Sequence, residues 1–276
     1  MSGAEGAPVT ERDDPAKLRL GGMALRNGLL VHGPTHWAAA VRRADGAIAA
    51  ASGPKPRFTS LDGVPGLRGV ARLGEAMAVI PLVKRHLPEA QLPFQQASVA
   101  AAAAGATVGA ALVRRRARGS FGGEVGAAAL SLVPSLVALR GGELAAYHGA
   151  EHKTIGAYEQ GTEDHTKEHD RCGSHLMAPL IASNLAGVAL LRAVMPKPTP
   201  LATGTVAVAS VGVAVEVFAW TERHGDTAAA RALRRPGYEL QRVLGTREPD
   251  ERQLEVGRAA LEEILRVELG SRPQAP

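Results

Sequence analysis

A single cysteine, Cys172, excludes an internal disulfide and fits a reducing compartment. Aromatic residues are equally scarce, at 3% of the chain, so platforms for stacking bases are few and no nucleic-acid partner is expected. The stretch Met1 to Pro15 is small, polar and acidic, and it lacks the basic and apolar regions of a signal peptide. No internal repeat is visible, which speaks against a transporter built from repeated halves. What remains is basic, with a net charge of +5, a balance suited to an anionic membrane surface. Mean hydropathy is close to zero, but charged and apolar residues are segregated along the chain.

Residues 1–17 read as a disordered leader. Gly21-Gly22, Gly28 and Gly33-Pro34 suggest tight turns and close backbone approach. Trp37 to Arg43 and Ala47 to Ala51, joined through Asp45-Gly46, predict a β-hairpin. Residues 52–66, rich in proline and glycine, read as a linker. Leu67, Val70, Leu73, Met77 and Ile80 recur at helical spacing, so an amphipathic helix is expected up to His86. Near the C-terminus, Leu254, Leu261, Ile264 and Leu265 share a helical face over Glu251 to Leu269. Asp250 and Gln253 form a capping-box pattern at its start. This helix is expected to dock on the N-terminal region, with residues 271–276 frayed.

Four apolar runs lie between, at 97–113, 125–139, 176–191 and 200–220. A membrane-spanning helix needs about 20 apolar residues. The fourth run meets this, the first nearly so, and the second and third draw on their flanks. Gly105-x-x-x-Gly109 has the spacing that lets lipid-embedded helices approach closely, and Arg114-Arg115-Arg116 makes an interfacial stop. Arg192 is expected to snorkel. Four spans put the N-terminus, residues 140–175 and the C-terminus on one side. The long basic N-terminal region assigns that side to the cytoplasm, although the short basic loop 114–118 argues the reverse.

Chemistry concentrates between the second and third runs. His148 and His152, four residues apart, share one face of a helix and can chelate one ion. With Glu151 they spell H-x-x-E-H, the inverzincin pattern of two histidine ligands and a glutamate general base. Glu159, His169 and Cys172 follow within one short polar stretch, a zinc-like donor set in which His169-x-x-Cys172 has ligand-pair spacing. The third ligand is His169 or Cys172, with Glu159 a further candidate. His165 and His175 read as structural. The bland alternatives are a helix start with interfacial histidines, Glu151 paired to Lys153 or Arg171, and Cys172 as a lone buried thiol. Glu216, inside the fourth run, is a secondary candidate because an ionisable residue within a span is costly.

These residues resemble the YqhQ-like family of bacterial membrane proteins, a family without an established function that carries the label of a metal-dependent enzyme. The likeness runs from about Gly21 to Leu265. It is densest from Tyr147 to Ile155, at Ala157-Tyr158-Glu159, and at His169-x-Arg171-Cys172-Gly173. It resumes at Pro236-Gly237, Gln241-Arg242 and Thr246 to Asp250. The chain departs from the family at Asn27, usually glutamate, and at His32, usually arginine. The resemblance implies several membrane spans and supplies no substrate.

The expected architecture is mainly α. A four-helix membrane bundle over 94–222, carrying the metal segment 140–175, joins an N-terminal αβ region over 18–93 with a small β-hairpin and a C-terminal amphipathic helix within 223–276. The expected function is that of an integral protein of the bacterial inner (plasma) membrane, termini in the cytoplasm, with a divalent transition metal, zinc by its donors. His148 and His152 would be ligands and Glu151 the general base of metal-assisted hydrolysis. The bilayer is the expected partner, protein partners are open and a homo-oligomer is compatible. Three alternatives stay open: a non-catalytic assembly or docking protein with a structural metal, an ion- or proton-coupled transporter using Glu216, and a soluble Ala-rich bundle.

Overall fold

The computed structural model describes residues 17–58, 67–117, 120–140 and 142–270. The expected leader up to residue 16, the linker from residue 59 to 66, residue 118 of the basic loop and the tail 271–276 lie outside them.

Four strands form an antiparallel meander in the order β1 (Gly21–Leu25), β2 (Gly28–His32), β3 (His36–Arg42) and β4 (Ile48–Pro54). The expected hairpin is the β3–β4 pair. Gly46 turns it at φ +88°, and Asp45 accepts a hydrogen bond from the Ala47 amide. Strands β1 and β2 replace what read as glycine turns. Gly28 is needed there because a Cβ would run into the Ala40 carbonyl of β3.

Helices cover both faces of the sheet. On one face Leu29, Val31, Ala38 and Ala40 pack with Val256, Ala260 and Ile264 of the C-terminal helix α9 (Glu251–Gly270), and with Tyr147 and Ile155 of α5 (Glu143–Gln160). On the other, Leu25, Leu30, Trp37 and Val41 pack with Val79 and Val83 of α1 (Leu67–His86). With neither face wet, β2 and β3 are continuous apolar runs and lose the alternation that marks a half-exposed strand. Burying one such aliphatic side chain contributes about 1.5–3 kcal/mol.

Two helical faces differ from those expected. In α1 the buried line is Ala71, Glu75, Val79 and Val83, while Leu67, Leu73 and Met77 are exposed. In α9 the innermost positions are Val256, Ala260 and Ile264, with Leu261 and Leu265 at the edge. The capping box is formed: the Gln253 amide donates to Asp250 Oδ1 (3.1 Å) and the Asp250 amide to Gln253 Oε1 (2.7 Å). Glu268 ties α9 to the β2–β3 turn by accepting from the Thr35 and His36 amides, both at 2.7 Å.

The remaining helices are α2 (Ala97–Arg116), α3 (Phe121–Ser131), α4 (Val133–Leu139), α6 (Met177–Val194), α7 (Pro200–Arg223) and α8 (Ala228–Leu240). Among the described residues four segments, Ala97–Arg116, Phe121–Leu139, Gly173–Val194 and Pro200–Arg223, are long and apolar enough to cross a membrane. Pro134 divides the second, since it has no amide hydrogen to continue the α3 ladder. The small-residue contact of α2 is made by buried Ala106 and Ala110. Gly109 reaches only Leu130, and Gly105 faces open space. Arg192 is ion-paired: it and Arg114 both bind Glu124, at 2.6 and 3.0 Å, joining α6, α2 and α3.

Candidate metal centre

Helix α5 carries the H-x-x-E-H string and is bracketed by two left-handed glycines, Gly142 and Gly161. Its small residues decide what it touches. A Cβ at Gly149 would strike the Arg247 carbonyl, so only glycine lets the 245–249 segment lie against the helix. The Arg247 amide donates to the Ala145 carbonyl there, at 2.8 Å. This contact brings the Gly245 carbonyl to His148, whose Nδ1 donates to it at 2.8 Å. One turn on, His152 Nδ1 donates to the Lys167 carbonyl at 2.6 Å. A carbonyl can only accept, so in both rings Nδ1 holds a proton, and in the neutral imidazole this leaves the lone pair on Nε2.

Those two Nε2 atoms face Cys172. His148, His152 and Cys172 each offer one donor atom, all within 4.8 Å of one another, a group that can hold a metal ion. His148 Nε2 is 3.4 Å from Cys172 Sγ. His152 Nε2 is buried and has no hydrogen-bond partner among the described residues. A buried ring nitrogen with a free lone pair is costly unless something binds it, so the donor set fits a metal. Burial pushes the Cys172 thiol pKa up and takes that of His152 well below its usual value. Such a site therefore favours a neutral imidazole ligand, and a bound cation would offset the thiol's reluctance to ionise.

His169 and Glu159 stand beside this group. The His169 ring lies 5.5 Å from that of His152, and its Nε2 is 3.2 Å from Glu159 Oε2. Glu159 also pairs with Arg171. Lys153 pairs with Glu248 and Asp164. Both cations thus pair with carboxylates other than Glu151. His165 packs edge-on to His169, and His175 bonds to the Arg234 carbonyl. Glu216 is half-buried on α7 and does not line the cavity described next.

Glu151 is 7% exposed, and burial lifts its pKa to about 7, against the opposing pull of His148. It opens into a cavity of about 320 Å³ shared with His148, His152 and Cys172 and walled by Met23, Leu139 and Leu144. A Cβ at Gly22 would run into the Glu151 carboxyl group, so strand β1 closes this side of the site. Sequence reasoning missed β1 here, and its only signal was the glycine pair. It also gave Gln241 no role beyond its place in the family likeness. This fully buried side chain accepts from the His169 amide (2.8 Å) and donates to the His169 carbonyl (3.2 Å) and Ser174 Oγ (2.8 Å). Asn27 is remote from the site: its side chain bonds the Arg42 and Glu89 carbonyls and the Gln91 amide.

Fold and site define a mainly helical protein with, among the described residues, four helices able to cross a membrane and a largely buried His/His/Cys group able to hold a metal ion. The family model for a protein of unknown function (DUF1385) matches residues 143–267, from the start of α5 nearly to the end of α9. The chain is 33% identical over 141 residues to the uncharacterized protein YqhQ of Bacillus subtilis (strain 168). That match covers 47% of this chain and 43% of YqhQ, less than half of the relative's length. Together the two matches support a YqhQ-like uncharacterised family. No solved structure matches the chain.

Proposed function

We propose that the chain is an integral membrane protein with a metal-dependent hydrolytic centre at the membrane edge. The observation that carries the reading is the convergence of two oriented histidines and one thiol beside a buried carboxyl group. His148, His152 and Cys172 hold one divalent metal ion, and two nitrogens with one sulfur favour zinc. The bound ion supplies Lewis-acid chemistry. The Glu151 carboxylate takes a proton from the attacking water, and the wall of Met23, Leu139 and Leu144 seats an apolar arm of a peptide or lipid-linked substrate. His169 orients the site from beside His152, held in turn by Glu159.

The membrane placement is supported by exposure. No more than 17% of each apolar window is buried within the chain, so in a soluble bundle most of these apolar positions would stay at least partly open to water. The metal segment, the sheet and α9 lie on one side, which we assign to the cytoplasmic face of the bacterial plasma membrane, where a thiol ligand stays reduced.

Elemental analysis of detergent-purified protein tests the centre. Near-stoichiometric zinc or another transition metal is expected in the wild type and its loss in a folded His148→Ala/His152→Ala variant. Metal-free wild type, still metal-free after reconstitution, would end the reading. Glu151→Gln should keep the metal and lose cellular function. Retention of both would make the metal structural.

A further inference from the structure

Helix α8 carries three stripes with helical spacing. The inner one, Ala230, Arg234, Gly237 and Gln241, is occupied: Gly237 packs against His175, Arg234 pairs with Asp170, and Gln241 holds His169. The second, Ala229, Leu233, Pro236 and Leu240, is apolar and mostly exposed, with Leu233 at 42%. Exposed Val243 and Leu244 of the following π-helical turn extend it. The third is Arg231, Arg235, Tyr238 and Arg242, all exposed. Glu239 pairs with Arg242 at 2.7 Å, Glu168 acts on the same arginine from farther off, and Arg231 donates to the Asp226 carbonyl. Four residues, 224–227, separate α8 from the end of the apolar helix α7, and α8 packs on both α6 and α7.

We infer that α8 is an interfacial helix that binds anionic phospholipid, its Leu233–Val243–Leu244 edge in the acyl boundary and Arg231, Arg235 and Arg242 on the head-group phosphates. An apolar stripe on the face opposite a cationic one, next to a spanning helix, is the pattern that lies in the plane of a charged leaflet. A protein partner would have to match the same charge while competing with the lipid that the membrane reading places around α7. The inference rests on the membrane reading but not on the metal chemistry.

The test is amide hydrogen exchange over residues 228–245 of the full chain, held as one copy per nanodisc. Discs of pure phosphatidylcholine are compared with discs containing phosphatidylglycerol. Exchange is expected to slow by about tenfold in the anionic discs. That protection should vanish in Arg231→Gln/Arg235→Gln/Arg242→Gln and fall partially in Arg235→Gln, with α9 exchange unchanged in both. Equal exchange in the two lipids, or protection that survives the triple substitution, would overturn the inference. So would protection that arises only with two copies per disc, which would assign the stripe to self-association. Failure of the chain to enter discs at all would sink the membrane reading and this inference with it, and is scored separately by co-elution with the disc protein.

Discussion

Gln241 illustrates how a residue with no chemistry of its own decides the geometry of a site. It is fully buried, and its amide bonds hold the backbone of His169 and the hydroxyl of Ser174, on either side of Cys172. Gln241→Leu removes those bonds at nearly constant volume. Metal affinity is expected to fall by about 10–100-fold, the usual loss when a group that orients ligands is removed. Competition with a chromophoric chelator reads this directly, and unchanged affinity would show that Cys172 is placed without it. His32 makes a different point. Burial, and then Lys55, lower its pKa from 6.5 to about 4. The unfolded chain therefore takes up the proton first. Stability is full above about 6.5 and declines as pH falls from there toward 4. The protection factors of the β2 amides, which correct for the intrinsic slowing of exchange in acid, should fall over that window in the wild type. The fall should be smaller in His32→Gln, and an unaltered pH dependence would rule out this contribution.

Elements here are fixed by what small residues permit and by what their ends bind. Gly149 admits the 245–249 segment against α5, and without that contact the Gly245 carbonyl would not reach His148. The apolar helices have a clip of their own. Glu124 is buried on α3 and binds Arg114 of α2 and Arg192 of α6. Removing the carboxylate in Glu124→Ala leaves two guanidinium groups facing one another. Both are partly exposed, so screening limits the cost to about 1–2 kcal/mol. The melting temperature in detergent should drop, and Arg114→Gln in the same background should recover part of the loss. No drop would mean that the apolar contacts of α2, α3 and α6 suffice.

At the scale of the whole molecule, four apolar helices and a sheet layered between α1 and α9 have to share one chain. If the apolar helices are spans, alkaline carbonate or high salt should leave the protein in the membrane pellet and only detergent should release it. Release without detergent would overturn the membrane reading. A fluorescent protein fused to the C-terminus should mature and alkaline phosphatase there should stay inactive, as a cytoplasmic end requires. The opposite pair of results would invert the topology. The sequence by itself determined the apolar runs, the β3–β4 hairpin, the α9 cap and the His148/Glu151/His152 string, because each is written in spacing or in neighbouring residue types. Only the tertiary structure decided that β1 and β2 are strands, since β2, covered on both faces, loses its alternation and β1 opens on two glycines. It alone chose Cys172 to face the two histidines and set Glu159 against Arg171. Those outcomes depend on Gly245, Lys167 and Gln241, residues distant in sequence or acting through the backbone, and no local pattern records which carbonyl a ring will meet.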